Sequence, residues 1–245
     1  HTRYPLVTGV QTCALPISLA PALSQGAQAL GLSLSAHQEA QLLQFLQLLA
    51  RWNRVYNLTA VRDETDMVSQ HLLDSLAVVP ALRRWAAGRL GADPASAVRL
   101  LDVGSGGGLP GVVVSVLEPD WAVACVDAVA KKATFIRQVA AELGLPHLES
   151  HHTRVEHWHP KPPALHTPPT YDLITSRAFA SLADFTQWTG HLLAGDGVWM
   201  ALKGRVPHDE IAALPAHVEV FHVEPLQVPQ LAAERCLVWL RKKMA

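Results

Sequence analysis

Apolar side chains recur at helical spacing through the first ninety residues of the chain. Between Leu42 and Trp52 the apolar positions fall three or four residues apart with polar side chains between them, which is typical of an amphipathic helix. Ser35 and Gln38 have the spacing of a capping box, so we expect this helix to begin just after Ser35. A second helix is predicted from about residue 64 to residue 82.

Short apolar runs replace the helical period from residue 98 onward. Strands are predicted over residues 98–103, 122–126, 171–176, 198–202, 218–223 and 236–240. Helices are predicted after Pro110, over residues 130–143 with Gly144 at the end, and over residues 182–193. Strands that alternate with helices indicate an α/β fold, with a mainly parallel sheet covered on both faces.

The composition is that of a globular chain with a substantial core. Apolar residues make up 49% of the 245 residues and charged residues only 17%, which excludes a disordered, collagen-like or coiled-coil chain. With 20 basic and 21 acidic residues, the formal net charge is -1. Because surfaces that bind nucleic acid are usually basic, this balance by itself argues weakly against a nucleic-acid partner.

Three features of the sequence indicate the cellular compartment of the protein. The three cysteines are widely spaced and include no C-x-x-C pair, so we expect neither a disulfide framework nor a zinc ribbon, and a reducing cytoplasm fits. No apolar run approaches the roughly 18 residues that span a bilayer. Residues 1–18 follow neither period and resemble a translated sequencing adapter more than a signal peptide, so they are predicted to be non-native.

A glycine-rich loop separates the first predicted strand from the helix that follows it. Gly104, Gly106 and Gly108 form a G-x-G-x-G pattern, and glycine allows the backbone to approach a ligand closely. A dinucleotide-binding fingerprint would have its third glycine at position 109, where this chain has Leu109. With Asp102 two residues ahead of the first glycine, the loop resembles the first motif of class I methyltransferases, which use S-adenosylmethionine.

An acidic residue stands at the end of the next predicted strand. Asp127 is at about the distance from the glycine loop at which an acid binds both ribose hydroxyls of a nucleoside cofactor. The strand, the glycines and the acid together favour a cofactor site over a tight structural turn, which stays open as the alternative. An NAD-binding oxidoreductase is a further alternative, and Leu109 argues against it.

Five motifs follow one another in an order that resembles a bacterial family. They are Trp52-Asn-Arg-Val-Tyr-Asn-Leu-Thr59, His71-Leu-Leu-Asp-Ser75, Leu101-Asp-Val-Gly-Ser-Gly-Gly-Gly-Leu-Pro-Gly111, Ser176-Arg-Ala-Phe-Ala-Ser181 and Ala201-Leu-Lys-Gly204. From about residue 26 to residue 243 the chain is similar to the small-subunit ribosomal RNA guanine-N7 methyltransferases, also called the glucose-inhibited division protein B family. The first and fourth motifs are not general features of methyltransferases.

The resemblance implies a Rossmann-like class I methyltransferase fold with an antiparallel C-terminal strand. A helical N-terminal extension would cover residues 19–95 and the methyltransferase domain residues 96–245. The implied reaction is methyl transfer from S-adenosylmethionine to N7 of a guanine in the 530 loop of 16S ribosomal RNA, at guanine 527. The implied partner is 16S ribosomal RNA or the small ribosomal subunit, and the implied state is a cytoplasmic monomer without membrane contact. A class I methyltransferase for another RNA or a small molecule is the alternative.

The cofactor is expected to contact several separate segments of the chain. The resemblance assigns this role to Gly104, Leu109, Val155, Glu156 and Arg177, and the loop and the acid add Ser105, Gly106 and Asp127. Guanine N7 carries a lone pair and no proton, so attack on the methyl group needs no general base. Proximity and orientation can then supply much of the rate, and no catalytic triad is expected.

The candidates for the reacting centre are Arg177, Lys203, His71 and Asp74. Arg177 follows a predicted strand and could fix the cofactor or the RNA, or cap a helix. His71 and Asp74 are one helical turn apart and could face the site or form a surface pair. Lys203 and Arg205 could bind phosphate or stay solvated.

The sequence leaves the roles of an aromatic, an amide and a histidine cluster open. Phe179 could stack on a flipped guanine or belong to the core, and Asn57 could cap a helix or reach the site. A metal site is not expected at the histidine cluster, whose spacing matches no standard zinc pattern. The cluster comprises His151, His152, His157 and His159.

Local grouping of basic residues reconciles the near-zero net charge with an RNA substrate. The groups are Arg51 with Arg54, Arg83 with Arg84, Lys131 with Lys132, Lys203 with Arg205, and residues 241–243. Some of them could form an RNA-facing patch on a neutral protein. We therefore expect modest affinity for RNA in general, with selectivity coming from the shape of the substrate.

Overall fold

A seven-stranded sheet forms the centre of the protein, whose computed structural model describes residues 19–90, 98–160 and 170–243. The strands are β1 (Arg99–Val103), β2 (Ala122–Asp127), β3 (Leu148–His152), β4 (Tyr171–Arg177), β5 (Leu193–Lys203), β6 (Val218–Leu226) and β7 (Arg235–Lys242). Their order is β3-β2-β1-β4-β5-β7-β6. β7 runs antiparallel to β5 and β6, and the other neighbouring pairs are parallel. The prediction for residues 1–18 lies outside the described residues.

The strand order reverses at β1, which pairs with β2 on one side and with β4 on the other. In open α/β sheets such a reversal leaves a crevice at the carboxyl ends of the two strands, and ligands bind there. The predicted fold class, an α/β fold with a mainly parallel sheet and an antiparallel C-terminal strand, is confirmed.

Helices precede the sheet and connect its strands. Before β1 the chain forms α1 (Leu19–Ala29), α2 (Ala36–Tyr56), α3 (Glu64–Met67), a π-helical turn (Val68–Leu73), α4 (Asp74–Leu76) and α5 (Val79–Leu90). After β1 it forms α6 (Gly111–Leu117), α7 (Ala130–Leu143), a 3₁₀ turn (Val155–His157), α8 (Leu182–Thr189) and α9 (His208–Ala212). The predicted capping box of α2 is confirmed, because Ser35 and Gln38 exchange hydrogen bonds of 3.1 and 3.0 Å. α7 ends at Gly144, as predicted.

The predicted helix over residues 64–82 was wrong as one continuous helix. It is interrupted by the π-helical turn and ends at Leu76, and α5 begins at Val79 after a short turn. Apolar positions at helical spacing continue through both segments, so periodicity alone does not reveal the break. π-Helical turns are rare in proteins, and those that occur are often found at functional sites. This one carries His71.

A helix boundary and an edge strand also differ from the sequence predictions. The helix predicted over residues 182–193 ends at Thr189, because Leu193 already begins β5 and pairs with Tyr171 of β4. β3 was not predicted, since its sequence Leu148-Glu-Ser-His-His152 has no apolar run. As an edge strand it is paired on one side only, so its polar side chains can remain in solvent.

The two faces of the sheet are covered by two hydrophobic clusters. The N-terminal helices share a cluster with α6, α7 and one face of the sheet, and its fully buried members include Phe45, Leu72 and Phe135. The cluster on the other face packs α8, with Phe185, against Trp199 of β5. Burial of each such side chain contributes roughly 1.5–3 kcal/mol. The N-terminal helices therefore pack into the same core as the sheet.

A buried carboxylate connects the end of β1 to the start of α6. Asp102 is fully buried, and its Oδ2 accepts a 2.9 Å hydrogen bond from the backbone N–H of Gly111. A Cβ at Gly111 would lie 2.5 Å from Sγ of Cys125 and 2.9 Å from Oδ2 of Asp102. Burial raises the pKa of Asp102 to about 7, against the lowering effect of the Gly111 hydrogen bond.

We predict that Gly111→Ala destabilises the protein by about 1–3 kcal/mol, because the added methyl group overpacks the contact between β1, β2 and α6. The matched control is Gly88→Ala in α5, where a Cβ would meet nothing within 4 Å. That change should be neutral or stabilise the protein by up to about 1 kcal/mol, since alanine favours helix. Urea unfolding of both variants measures the difference, and equal stabilities would contradict the prediction.

We predict that Asp102→Asn gains stability relative to the natural protein as the pH rises from 5 to 8. A carboxyl whose pKa is higher in the folded state favours folding at low pH and loses that contribution as pH rises through about 7. The asparagine variant lacks this loss, which amounts to the order of 2 kcal/mol at roughly 1.4 kcal/mol per pKa unit. Urea unfolding at both pH values tests this, and a pH-independent difference would count against a raised pKa.

Candidate functional site

A cavity of about 490 Å³ lies at the carboxyl ends of β1, β4 and β5, where the reversal in strand order predicts a ligand site. Its volume is within the roughly 300–1,000 Å³ of small-molecule sites. The glycine loop forms one wall and the N-terminal helices face it. The predicted site residues on the lining are Gly104, Ser105, Gly106, Leu109, Arg177, Lys203, His71 and Asp74.

The glycine loop presents its backbone to this cavity. Gly104, Gly106 and Gly108 have φ of 65°, 57° and 84°, in the left-handed region that favours glycine. The backbone N–H groups of Gly104 and Ser105 donate to the carbonyl of Val126 at the end of β2, so the loop is held against that strand. A Cβ at Gly106 would meet only one atom within 4 Å, which leaves room for a ligand over the loop.

Asp127 lies beside the loop, at the end of β2. Its Oδ2 accepts from the N–H of Gly106 at 3.0 Å, and its Oδ1 accepts from the N–H of Val129 at 2.8 Å. Nζ of Lys132 is 3.8 Å from the carboxylate. Each carboxylate oxygen can accept a further hydrogen bond, so Asp127 supports the loop and keeps capacity for ligand hydroxyls.

Val155 and Glu156 lie one strand further along the same edge of the sheet. They form the 3₁₀ turn after β3, and the end of β3 pairs with the end of β2 through His152 and Asp127. Val155 is buried, while Glu156 accepts from Nε of Arg154 at 2.6 Å. The main-chain N–H and Arg154 lower the pKa of Glu156. Like Asp127, both residues lie outside the cavity lining.

One carboxylate holds two guanidinium groups on the cavity wall. Oδ2 of Asp74 accepts from Nη1 of Arg177 at 3.0 Å, and Oδ1 accepts from Nε of Arg235 at 2.7 Å. Asp74 is 2% exposed, while the Arg177 and Arg235 side chains are 24% and 27% exposed. Arg177 also donates to the carbonyl of Gln70 in the π-helical turn. This triad carries one unbalanced positive charge.

His71 is a neutral residue on the wall of the cavity. Burial and the positive charge of Arg177 lower its pKa to about 4, so the ring is uncharged at neutral pH. Nε2 lies 2.9 Å from Oγ1 of Thr59, and Nδ1 has no hydrogen-bond partner among the residues that the structure describes. His71 and Asp74 therefore both face the site, rather than forming an exposed pair on a helix surface.

Lys203 and Arg205 differ in their surroundings. Nζ of Lys203 is 2.8 Å from Oε2 of Glu210 and also bonds the carbonyl of Ala180. Its charge is therefore compensated, although the side chain lines the cavity. Arg205 is exposed, and within the described part of the chain it has no hydrogen bond or ion pair.

The contacts of Phe179 and Asn57 favour structural roles for both residues. The ring of Phe179 covers Gly104 closely, at the distance where a Cβ on that glycine would clash, and makes edge contacts with Phe185 and Trp188. It does not line the cavity, so the geometry favours its packing role. Asn57 ends α2 with φ of 49° and accepts from Arg62, which is the capping alternative.

The histidine cluster has separate local partners. His151 contacts Glu149 at 3.0 Å, His152 contacts the carbonyl of Ala128, and His159 stacks near His191. Across residues 19–90, 98–160 and 170–243, no three His, Cys, Asp or Glu side chains are placed together to hold a metal ion.

The residues around the cavity fit S-adenosylmethionine. The open glycine loop can approach a nucleoside, and Asp127 keeps acceptor capacity for ribose hydroxyls. The unbalanced positive charge of the Asp74, Arg177 and Arg235 triad can attract a carboxylate.

Arg235, Thr59 and Gln70 line the site but were not predicted from the sequence. Arg235 is the first residue of β7, and the next residue, Cys236, pairs with Lys203 at the carboxyl end of β5. Antiparallel pairing thus brings the start of β7 to the edge where β5 ends. The predicted reversal of the C-terminal strand was the signal that could have identified Arg235.

No helix in the described ranges is long and apolar enough to cross a membrane.

Several solved structures resemble this chain at low sequence identity. TrmN from Thermus thermophilus is 21% identical with a TM-score of 0.49, over 72% of this chain and 53% of that chain. A ribosomal protein L11 methylase from Lactobacillus delbrueckii subsp. bulgaricus is 15% identical with a TM-score of 0.47, over 70% of this chain and 79% of that chain. Likeness at this level carries no argument about activity.

Curated relatives are much closer in sequence. A ribosomal RNA small subunit methyltransferase G from Methylibium petroleiphilum is 59% identical over 226 residues, which cover 92% of this chain and 96% of the relative. A protein of the same name from Acidovorax sp. is 60% identical over 222 residues, covering 90% of this chain and 94% of the relative.

The family comparison matches most of the chain. Residues 38–238 match the GidB family, described as rRNA small subunit methyltransferase G. The match includes the glycine loop, the Asp74, Arg177 and Arg235 triad, and all the strands except the last residues of β7. On this match and the identity to its relatives, the chain belongs to the GidB family of rRNA small subunit methyltransferases.

Proposed function

We propose that this protein transfers a methyl group from S-adenosylmethionine to N7 of a guanine in the 530 loop of 16S ribosomal RNA, at guanine 527. Family membership makes it an rRNA methyltransferase that uses S-adenosylmethionine. The observation that carries the proposal is the cavity in which the glycine loop faces His71, Asp74 and Arg177. A cofactor on the loop would place its methyl group towards those residues.

The cofactor would lie along the carboxyl edge of the sheet, from β4 to β3. Arg177 would bind the carboxylate end, and the loop from Gly104 to Leu109 would support the middle of the molecule. Asp127 would accept from the ribose hydroxyls. The turn of Val155 and Glu156, which follows the neighbouring strand β3, would lie near the adenine.

The reaction requires orientation more than proton transfer. When bound, S-adenosylmethionine supplies an electrophilic methyl group on a positively charged sulfur. Guanine N7 has a lone pair and no proton, so the protein needs only to hold N7 in line with that methyl group. His71 is neutral at physiological pH, so it adds no positive charge beside a base that becomes cationic.

The proposed location and partner of the protein follow from its proposed substrate. We infer that the protein acts as a monomer in the cytoplasm on 16S ribosomal RNA or the small ribosomal subunit. Lys203 is compensated by Glu210, whereas the nearby Arg205 is exposed and makes no ion pair among the described residues. Arg205 is therefore the better candidate for a phosphate contact. The alternative, a class I methyltransferase for another RNA or a small molecule, makes a different prediction in the assay below.

We predict that labelled S-adenosylmethionine and unmethylated small subunits yield 7-methylguanosine as the labelled nucleoside. Digestion and chromatography identify the nucleoside, and chain cleavage at 7-methylguanosine maps it to guanine 527. Large subunits and small subunits already methylated at that position serve as controls that should take up no label. Label in another nucleoside, or transfer without RNA, would favour the alternative.

We predict that Asp127→Ala weakens cofactor binding by several-fold to about a hundredfold, because a charged hydrogen bond is worth roughly 1.5–3 kcal/mol. The loss includes the support that Asp127 gives to Gly106. The control is Asp120→Ala, which removes an exposed aspartate in the turn before β2. Calorimetry with S-adenosylhomocysteine measures both affinities, and an unchanged affinity for Asp127→Ala would remove this residue from the site.

A further inference from the structure

A second cavity of about 600 Å³ adjoins the first one and shares Gly204 and Arg235 with it. It lies between the loop that follows β5 and the connection from β6 to β7. We call it the β7 groove and define it by Gly204, Arg205, Val206, Leu226, Leu231 and Arg235. None of its members was predicted to form a second site.

The β7 groove combines an apolar floor with a basic rim. Val206, Leu226 and Leu231 are partly exposed aliphatic side chains along it. Arg205 and Arg235 are its cationic side chains, and Glu234 is its acidic one. The main-chain carbonyl of Glu234 accepts from Nη1 of Arg235, and the exposed carboxylate of Glu234 makes no ion pair among the described residues. The two arginines and the glutamate together carry a charge of +1.

Both arginines keep donors that the described part of the protein does not use. Nε of Arg235 binds Asp74 and Nη1 binds the carbonyl of Glu234, which leaves Nη2 without a partner among the described residues. Arg205 is exposed and, within the same ranges, makes no ion pair. Asp74 fixes the position of Arg235 at the junction of the two cavities, so its remaining donor is pre-oriented.

We propose that the β7 groove binds the nucleotide next to the methylated guanosine. This inference rests on the proposed RNA substrate. A base that reacts inside a cavity has to leave its stack, and the RNA chain beside it then needs a path out of the cavity. Arg235 and Arg205 bind the phosphates on either side of the junction, and the aliphatic floor contacts the neighbouring base.

The chemistry of the groove favours RNA over a protein segment. Guanidinium groups bind phosphate in a bidentate manner, and single-stranded nucleotides combine phosphate contacts with contacts of base faces to apolar side chains. The groove also shares Gly204 and Arg235 with the cavity that the glycine loop lines. A nucleotide in the groove would therefore lie beside the reacting one, as its neighbour in the RNA chain must.

The first test compares Arg205→Ala with Arg137→Ala. Arg137 is an exposed cation of α7, which packs beside β2 and β3 at the other end of the strand order. We expect Arg205→Ala to weaken binding of small subunits by about fivefold or more and to reduce the salt slope of binding by roughly 0.7–1, as for loss of one phosphate contact. Arg137→Ala should bind small subunits as the unchanged protein does, and neither variant should change the affinity for S-adenosylhomocysteine. An Arg205→Ala variant that matches Arg137→Ala in both affinity and slope would overturn the proposal.

The second test identifies the occupant directly. Ala233 is an exposed residue on the groove, and Ala233→p-benzoylphenylalanine places a photoreactive group there. We expect cross-links to 16S ribosomal RNA within two nucleotides of the methylated guanine. Cross-links to a ribosomal protein, or to a distant part of the RNA, would contradict the proposal. Because the natural protein's 7-methylguanosine product is measured separately, failure of the groove and failure of the proposed function are distinguishable.

Discussion

The carboxylate of Asp74 is the contact on which the geometry of the site depends. It comes from the N-terminal helices, and it binds one arginine at the end of β4 and another at the start of β7. These three elements are far apart in the chain, and a nearly fully buried carboxylate would be costly without its two partners. The geometry of this wall thus depends on one carboxylate, which connects the N-terminal helices to β4 and β7, the two strands that flank β5.

This arrangement also distributes charge within the cavity. Lys203 is compensated by Glu210, and Lys132 lies 3.8 Å from Asp127. The triad around Asp74 retains an excess positive charge, and the neutral His71 adds none. A protein with a net charge of -1 therefore concentrates positive potential where an anionic cofactor end and a phosphate would lie, which reconciles its composition with an RNA substrate.

Local patterns predicted six of the seven strands, the start of α2 and the end of α7, because caps and apolar runs depend on neighbouring residues. They did not reveal the π-helical turn at His71, since its apolar spacing continues unchanged, nor the polar edge strand β3. The glycine loop and Arg177 were identified from motifs. Arg235 was missed, because its place at the cavity depends on the pairing of β7 with β5, which brings together residues distant in sequence. Whether the glycine loop, Arg177, Asp127, Val155 and Glu156 bind the cofactor stays a prediction.

The shared core of the N-terminal helices and the sheet has a consequence for how the protein opens. Leu49 of α2 approaches Gly107 so closely that a Cβ there would lie 3.0 Å from its Cδ1, and the helices have no separate apolar cluster of their own among the described residues. The helical wall of the cavity cannot loosen without disturbing the glycine loop against which it packs. Local fluctuations of the two walls are therefore coupled, and cofactor binding would slow hydrogen exchange in α2 as well as in the loop.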